Sequence, residues 1–154
     1  MEKPMRRKER AMPLGDAIEL VSRGEYGVLC TVDAEGIPHG VPMNHVWDGG
    51  LLYFHCANEG LKAENIAARP GVCYTVVGEV AADPEMPSVR HGASAVVYGE
   101  AALIEAEEEK RRILTLICEK YHIDPKGKME KSGPAIPKTA VYKITPRLIT
   151  GKKI

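Results

Sequence analysis

The sequence predicts a mainly β fold of the α+β class, an antiparallel barrel of six strands with three helices packed outside it. Short β-rich runs recur along the 154 residues, and tight turn sequences such as DAEG and DGG join several of them. Only three segments show helical periodicity. A parallel sheet would require a crossover helix after nearly every strand, so an antiparallel arrangement fits this chain better.

The chain is expected to open with a basic arm and a short amphipathic helix. Apolar residues recur at helical spacing from Leu14 to Arg23, and Gly24 follows where a helix often ends. We expect residues 1–12 to form a solvated arm and residues 13–154 to form one domain, since this length suits a single core. The cationic residues of the arm are Lys3, Arg6, Arg7, Lys8 and Arg10.

Three strands joined by two hairpins are predicted next. They are YGVLCTV, from Tyr26 to Val32, then IPHGVPMNHVW, and then LLYFH. The second run contains Pro38 and Pro42, which cannot donate to a sheet ladder. We therefore expect this strand to lie at a sheet edge, or to have one side facing something other than a strand.

A second helix and a fourth strand follow. The run LKAENIAA is predicted to be a two-turn helix that Arg69 and Pro70 end, because the residue before a proline disfavours helical geometry. VCYTVVG, from Val72 to Gly78, is predicted to be a strand. Residues 79–90, which include two prolines, are expected to form a loop.

The last third of the chain is predicted to hold two strands and one helix. Ser94 to Ala106 is a long β run in which Gly99 marks a bulge or bend. Glu107 to Tyr121 has one apolar face and acids near its start, which favours a helix. A polar loop is expected over residues 124–137, and a final strand from Thr139 to Thr145.

Composition argues for an ordinary globular chain. It carries 21 Lys+Arg against 21 Asp+Glu, so its formal charge is +0, and a nucleic-acid partner held by phosphate neutralisation is not expected. No apolar run approaches the roughly 18 residues of a membrane-spanning helix, and no association with a membrane is expected. The first residues lack the apolar stretch of a signal peptide, so we expect a cytoplasmic protein.

Several common catalytic motifs do not occur in the sequence. It contains no G-x-x-x-x-G-K-[ST], G-x-G-x-x-G, G-x-S-x-G or H-E-x-x-H. His39 and His45 share a strand face, but no cysteine or carboxylate stands at ligand spacing, so no metal site is expected. Because no C-x-x-C pair is present, buried free thiols are expected instead of disulfides or zinc ligands at Cys30, Cys56, Cys73 and Cys118.

The stretch from Val41 to Asn65 is the most informative part of the sequence. It contains a strand, a loop of small residues and a helix that begins near Lys62. The first amides of a helix have no partner within the helix and carry partial positive charge, so they favour a phosphate, and Lys62 would add a full charge. The alternatives are that Lys62 is an ordinary solvated side chain and that Gly60 merely permits the turn.

The order and spacing of several segments resemble a known family. Y-F-H-C-A-N-E-G-L-K-A-E-N-I follows P-M-N-H-V-W-D-G-G, with M-R-R-K-E-R near the N-terminus and S-A-V-V-Y-G-E-A later. Together they resemble the flavin-binding split-barrel superfamily over nearly the whole chain, from Met5 to Lys152. Within that superfamily the sequence is most similar to the nitroimidazole-resistance proteins and more distantly similar to the pyridoxamine phosphate oxidases.

The resemblance implies a homodimeric split barrel that binds FMN at the subunit interface. The flavin ring would lie along the edge-like strand, with backbone amides and the Asn44 side chain as hydrogen-bond partners. The phosphate would sit at the loop and helix start, and a serine would reach the flavin from the partner subunit. The matching positions are Pro42, Met43, Asn44 and His45 for the ring, His55, Cys56, Ala57, Gly60, Lys62 and Asn65 for the phosphate, and Ser94 for the partner contact.

One position departs from the family pattern. Members usually carry arginine immediately before the lysine of the phosphate loop, and this chain has Leu61. Loss of a bidentate, permanently charged donor would remove about 1.5 to 3 kcal/mol, or roughly ten- to a hundredfold in affinity. The candidates to compensate are His55, Lys62 and either Arg69 or Arg90.

The resemblance further implies an FMN-dependent oxidoreductase that takes a hydride from NADH or NADPH and reduces a small electron-poor molecule such as a nitroaromatic. No catalytic acid or base is assigned, and His45 and His55 are the titratable groups to test first. Two other classes remain open. In the first class the protein is a carrier of a flavin, haem or deazaflavin without turnover. In the second it is an interaction module that has lost its cofactor.

Overall fold

The structure is a computed structural model that describes residues 5–85, 89–124, 126 and 138–154, and only the backbone of residues 89 and 90. Within these residues the chain forms three α-helices and seven strands. The helices are α1 (Leu14–Arg23), α2 (Leu61–Ala68) and α3 (Glu107–Lys120), and a 3-10 turn at Lys8–Arg10 precedes them. The strands are β1 (Gly27–Val32), β2 (Pro38–Met43), β3 (Val46–Asp48), β4 (Leu51–Ala57), β5 (Gly71–Ala82), β6 (Val89–Leu103) and β7 (Thr139–Lys153).

The strands make one antiparallel sheet in the order β2-β1-β5-β6-β7-β4-β3. β2 and β3 are consecutive in sequence, yet they form the two opposite edges of this sheet. Only Asn44 and His45 separate them, and such a link reaches at most about 11 Å between Met43 and Val46. The sheet must therefore curl until its edges nearly meet, while the edges stay unbonded to each other, which is a barrel left open along one seam.

The prediction of six strands was wrong, because the run IPHGVPMNHVW is divided between two strands. β2 pairs with β1, whereas β3 pairs with β4 on the far edge of the sheet. Alternating hydrophobicity cannot reveal such a change of partner, since the outward and inward pattern continues through both strands.

Other sequence predictions are confirmed. β2, with Pro38 and Pro42, lies at a sheet edge, as expected for residues that cannot donate to a ladder. The register of β6 against β7 shifts between Tyr98 and Gly99, so the expected bulge is present. The three helices occupy the predicted segments to within one residue.

Two strands are longer than predicted. β7 continues past Pro146 to Lys153, because Pro146 stands opposite Gly99 at the bulge, where a missing N–H is tolerated. The loop expected at residues 79–90 is mostly strand, since β5 runs to Ala82 and β6 begins at Val89, although residues 86–88 lie outside the described residues. Most of the loop expected at 124–137 also lies outside them.

Two apolar clusters hold the curled sheet together. The larger one fills the inside of the sheet and includes Ala17 and Val21 from α1 and Ile66 from α2. The second lies between α3 and the strands β3, β4 and β7, with Ile113 and Ile117 at its centre. Each helix therefore presents one apolar side to the sheet, and burial of these side chains from water stabilises the arrangement.

The segment before α1 is attached to the end of β7. Ala11 bridges Lys152, and the Met12 amide donates to the Gly151 carbonyl at 2.9 Å. Residues 1–4 of the expected basic arm lie outside the described residues. Further along the arm, Arg7 forms a salt bridge with Glu9. No helix in the described residues has the length and apolar character needed to cross a bilayer.

Candidate functional site

The start of α2 is an open turn built on glycine. Gly60 precedes the helix with a φ of 113°, a conformation that other residues rarely adopt, and a Cβ there would meet nothing within 4 Å. The Gly60 carbonyl accepts the amides of Ala63 at 2.9 Å and Glu64 at 3.2 Å. The amides of Leu61 and Lys62 come earlier in the turn and have no acceptor within the helix, so they suit an anion.

The charges around this turn are mixed. Burial raises the pKa of the Cys56 thiol, and the positive charge of Lys62 opposes this shift to a smaller degree. Glu59 and Glu64 flank Lys62 in sequence, while the Leu61 side chain is 47% exposed and uncharged. An anion at this turn would therefore be held by backbone amides and one lysine against two nearby acids.

The predicted phosphate residues do not all face the same side. His55 and Cys56 are consecutive in β4, so their side chains point to opposite faces of the sheet. His55 stands opposite Val141, beneath α3, whereas Cys56 packs against the inner cluster and lies near Lys62. Cys56 and Lys62 are thus brought together, and His55 is directed away from them.

Asn65 and Arg69 have structural partners. The Asn65 side chain is only 2% exposed, and its amide donates to the Thr31 hydroxyl at 2.9 Å. Arg69 donates to the Ala34 carbonyl at 2.7 Å, in the turn between β1 and β2. Both contacts fix α2 to β1 and the turn after it, so in this structure each side chain already has a protein partner, and the expected phosphate roles of Asn65 and Arg69 stay predictions.

The crossing from β2 to β3 offers fewer free donors than expected. Met43 pairs with Gly27 in the ladder, and its carbonyl accepts the Tyr74 hydroxyl at 2.7 Å. The His45 amide donates to the Tyr121 hydroxyl at 3.1 Å. The backbone amides of Met43 and His45 are therefore engaged internally, which leaves them less available to a flavin ring than expected.

The His45 side chain is fully buried and has a partner for each ring nitrogen. Nε2 lies 2.7 Å from the Val21 carbonyl and donates to it, while Nδ1 lies 3.1 Å from the Tyr74 hydroxyl and shares the single proton of that hydroxyl with the nearer Met43 carbonyl at 2.7 Å. Burial lowers the pKa of His45 to about 4, and the charge of Lys120 adds to this effect. His45 is therefore a neutral core residue, not the expected contact for a cofactor.

Lys120 and Tyr121, at the end of α3, complete the hydrogen bonding around the crossing. The Lys120 ammonium donates to the Gly24 carbonyl at 2.7 Å and the His45 carbonyl at 2.9 Å, and burial lowers its pKa to about 8. The Tyr121 hydroxyl also donates to the Glu25 carbonyl. Sequence reasoning missed both residues, because a lysine and a tyrosine at a helix end give no sign of a distant backbone partner.

Ser94 lies far from the other predicted residues of its own chain. Pro42, Val28, Thr75 and Val96 form one row across four adjacent strands, which spans roughly 14 Å at the usual strand spacing. Ser94 is two residues beyond this row, in a shallow depression of about 250 Å³ that Lys152 also lines. Ser94 and Pro42 could touch one ligand only if a second chain brought another copy of Ser94 to it.

Burial of the cysteines differs from the prediction. All four are free thiols, as expected, but only Cys118 is buried, and the other three are half-buried. Among the described residues, no group of three or more His, Cys, Asp or Glu side chains is arranged to hold a metal ion.

The chain belongs to the pyridoxamine 5'-phosphate oxidase family, whose sequence model matches residues 15–153. This family has the split-barrel fold, which the curled and open sheet described above also shows. Among proteins with curated functions, none matches the sequence significantly.

Solved structures of similar fold include three of particular interest. A candidate 5-nitroimidazole antibiotic resistance protein from Bacteroides thetaiotaomicron is 26% identical, with a TM-score of 0.77 over 93% of this chain and 86% of that one. A candidate pyridoxamine 5'-phosphate oxidase from Listeria innocua is 26% identical, with a TM-score of 0.62 over 88% and 94%. A protein named F420 reductase is 24% identical, with a TM-score of 0.64 over 90% and 98%, and this likeness shows the fold alone.

The burial of His45 predicts a loss of stability in mild acid. Its folded pKa of about 4 lies below the ordinary 6.5, so the unfolded chain binds the proton first as the pH falls through this window. The free energy of unfolding should fall by about 2 to 3 kcal/mol between these two pH values and be fully recovered above them. Urea unfolding across this range measures the change.

A His45→Gln variant is the control for this prediction. It should be less stable at neutral pH, because the replaced ring leaves the Val21 carbonyl and Tyr74 hydroxyl poorly matched, but its stability should change less with pH between 6.5 and 4. An equal acid dependence in both proteins would show that another group titrates.

Proposed function

We propose that this protein is an FMN-dependent reductase of small electron-poor molecules, such as nitroaromatics, with NADH or NADPH as electron donor. The observation that carries the proposal is the open turn at Gly60, where the first amides of α2 lack helical acceptors and Lys62 lies close enough to Cys56 of β4 to act on its thiol. Bound FMN would supply the two-electron redox chemistry. The chain would bind the cofactor, orient its ring and exclude water from it.

The turn suits a monoester phosphate in shape better than in charge. Leu61 and Lys62 amides can donate to phosphate oxygens, and Gly60 leaves the approach clear of side-chain atoms. Lys62 supplies one positive charge, and the Cys56 thiol near it stays protonated at neutral pH because burial raises its pKa. The arginine that usually precedes the lysine in related sequences would offset Glu59 and Glu64, and Leu61 does not.

The flavin ring is proposed to lie along β2 near the crossing to β3. Pro42 is exposed there, and the half-buried Asn44 contacts the Tyr121 hydroxyl through its side chain. Because the Met43 and His45 amides have internal partners, Asn44 is left as the polar group best placed to contact the ring. The hydrogen bonds around His45 would keep this short segment rigid, which favours binding of a planar group.

A homodimer is part of the proposal, because one face of the sheet is apolar and uncovered. In the described part of the chain, the three helices pack inside the sheet or against β3, β4 and β7, and leave the outer face of β1, β5 and β6 open. A contiguous apolar face of this kind is typical of a protein interface. Its outward side chains are Val28, Cys30, Val32, Cys73, Thr75, Val77, Val96, Tyr98 and Leu148.

A second copy of the chain would also complete the site. Ser94 stands on this outer face next to Lys152 and cannot reach Pro42 of its own chain. Pairing of two outer faces would bring the partner's copy of this serine and lysine toward the flavin, where the lysine would add the positive charge that Leu61 does not provide. The proposal therefore assigns the cofactor site to two chains together.

Leu61 favours a second candidate function. Without the usual arginine, the turn holds a phosphate less tightly, so the protein would serve as a carrier of a flavin or deazaflavin without turnover, or as an interaction module. The name of the F420 reductase shows that a protein of this fold acts with a deazaflavin, F420. A cofactor bound without turnover would distinguish this function from the reductase.

The reductase proposal predicts a visible cofactor and turnover. Protein purified from cells, or reconstituted with FMN, should show the flavin absorbance bands and should oxidise NADH or NADPH when a nitroaromatic is added. Absorbance spectra and stopped-flow kinetics measure both properties. Bleaching without turnover would favour the carrier, and colourless protein with no thermal shift on addition of FMN would favour the interaction module.

Substitutions at adjacent positions of the turn should change FMN affinity in opposite directions. Lys62→Ala removes the cationic side chain of the turn and should weaken binding by about ten- to a hundredfold, while Leu61→Arg should strengthen it to a similar degree. Isothermal titration calorimetry measures both. Lys143→Ala is a matched control, because Lys143 lies on β7 beside Glu109, away from the turn. Unchanged affinity in Lys62→Ala would remove the turn from the phosphate site.

The proposed dimer predicts a particle of twice the 16.8 kDa chain mass in light scattering at micromolar concentration. Val77 is 57% exposed on the outer face, and Val77→Lys should shift the protein toward the monomer by placing an unpaired charge in the interface. Ile123→Lys is the control, because Ile123 is 42% exposed after α3, away from that face. A wild-type protein found only as the single chain would contradict the dimer.

A further inference from the structure

Two cysteines stand directly opposite each other on neighbouring strands. Cys30 of β1 and Cys73 of β5 are register partners in the antiparallel ladder, so their side chains leave the sheet on the same face. Both are half-buried on the outer face, and the two thiols are hydrogen-bonded to each other. Nothing in the proposed cofactor site uses either of them.

The backbone geometry of such a pair is close to that of a disulfide. Directly opposite residues in antiparallel strands have Cα atoms about 4.5 to 5.5 Å apart, within the range of about 4.4 to 6.8 Å found in disulfides. Since Leu29 and Thr31 direct their backbone groups to β2, Cys30 directs its own to β5, and the pair is a hydrogen-bonded one with Cβ atoms about 5.5 Å apart, at least about 1 Å more than a disulfide needs. A bond here would thus draw the two strands together and would carry strain, which makes it easy to reduce.

The two flanks of the pair differ. On the side of β2, Cys30 faces Gly40, where an added Cβ would lie 3.9 Å from the Cys30 sulfur, so no side chain covers that side. On the side of β6, Cys73 stands opposite Tyr98, a residue with a large side chain on the same face. A small reagent can therefore approach Cys30 more readily than Cys73.

We propose that Cys30 and Cys73 form a reversible cross-strand disulfide by exchange with a low-molecular-weight disulfide. The Cys30 thiolate attacks one sulfur of the small disulfide, forms a mixed disulfide and releases one thiolate. The Cys73 thiolate then attacks the Cys30 sulfur, closes the cross-strand bond and releases the second thiolate. The protein loses two electrons, the small disulfide is reduced to two thiols, and the two protein protons end on those thiols.

The order of these steps follows from the environment of each thiol. Burial, together with the adjacent Cys30, raises the pKa of Cys73, and the open side at Gly40 gives a small reagent its approach to Cys30 first. Once Cys30 carries the mixed disulfide, Cys73 is held beside it, and the second step gains from this proximity. Cys30 is therefore the attacking residue and Cys73 the resolving one.

Formation of the Cys30–Cys73 bond does not require a bound flavin. The pair lies on the face proposed to contact a second chain, and covering of that face would slow the exchange without altering its product at equilibrium. The fully reduced and the fully closed states differ by two hydrogen atoms on a single chain, so they can be separated by mass.

The test equilibrates the full-length protein, without oxygen, in mixtures of reduced and oxidised glutathione. Samples are quenched in acid, free thiols are alkylated, and peptides are mapped by mass spectrometry. A Cys30–Cys73 cross-link should accumulate as the oxidised fraction rises and disappear when it falls. The same fraction should be reached from reduced and from oxidised starting protein, which shows that the exchange is reversible.

Single variants distinguish the two roles. Cys73→Ser should retain glutathione on Cys30, because no resolving thiol remains, whereas Cys30→Ser should react at Cys73 at least about tenfold more slowly. Cys56→Ser is the matched control and should still form the cross-link. The proposal is overturned if wild-type protein forms no Cys30–Cys73 cross-link from either starting state, or if Cys73→Ser and Cys30→Ser react at equal rates.

Discussion

The burial of His45 at the seam of the sheet is the constraint on which the rest of the structure depends. Two residues must carry the chain from one edge of a seven-stranded sheet to the other, and this is possible only while the sheet stays curled. The polar groups of the link would be costly to bury alone, and three elements satisfy them: α1 through Val21, β5 through Tyr74, and the end of α3 through Lys120 and Tyr121. The same few hydrogen bonds therefore hold both α1, which packs inside the sheet, and the end of α3, which packs outside it.

The candidate cofactor site depends on this arrangement indirectly, through β1. α2 is attached to β1 through Asn65 and Thr31 and to the following turn through Arg69, so its first turn is fixed relative to the strand that carries the outer apolar face. Asn65 and Thr31 are buried and hydrogen-bonded to each other, whereas Gly60, Leu61 and the loop before them are exposed. A rigid support under an open turn is the usual arrangement of a binding site, because ordering the turn then costs little when the ligand arrives.

Local features of this fold could be predicted from sequence, and long-range ones could not. The helices, the edge position of β2 and the bulge at Gly99 follow from periodicity, from prolines and from glycine, which act over a few residues. The division of one apolar run between β2 and β3, and the extension of β7 past Pro146, depend on partner strands far away in sequence. In the candidate site, α2 begins where the sequence predicts a helix, but the internal contacts of His45 and Asn65 could not be predicted, because a polar residue gives no sign of a buried partner such as Tyr74 or Thr31.

The orientation of the backbone in β2 limits how this protein can aggregate. Asp33 donates to the Ile37 carbonyl at 3.0 Å, and this bond sets the alternation by which His39, Val41 and Met43 direct their backbone groups to β1. Pro38, Gly40 and Pro42 face the other way, so along the outer rim of the strand Gly40 alone presents an N–H. A foreign strand docking there would find almost no donors, and fibril growth by repeated strand addition has no template at this rim.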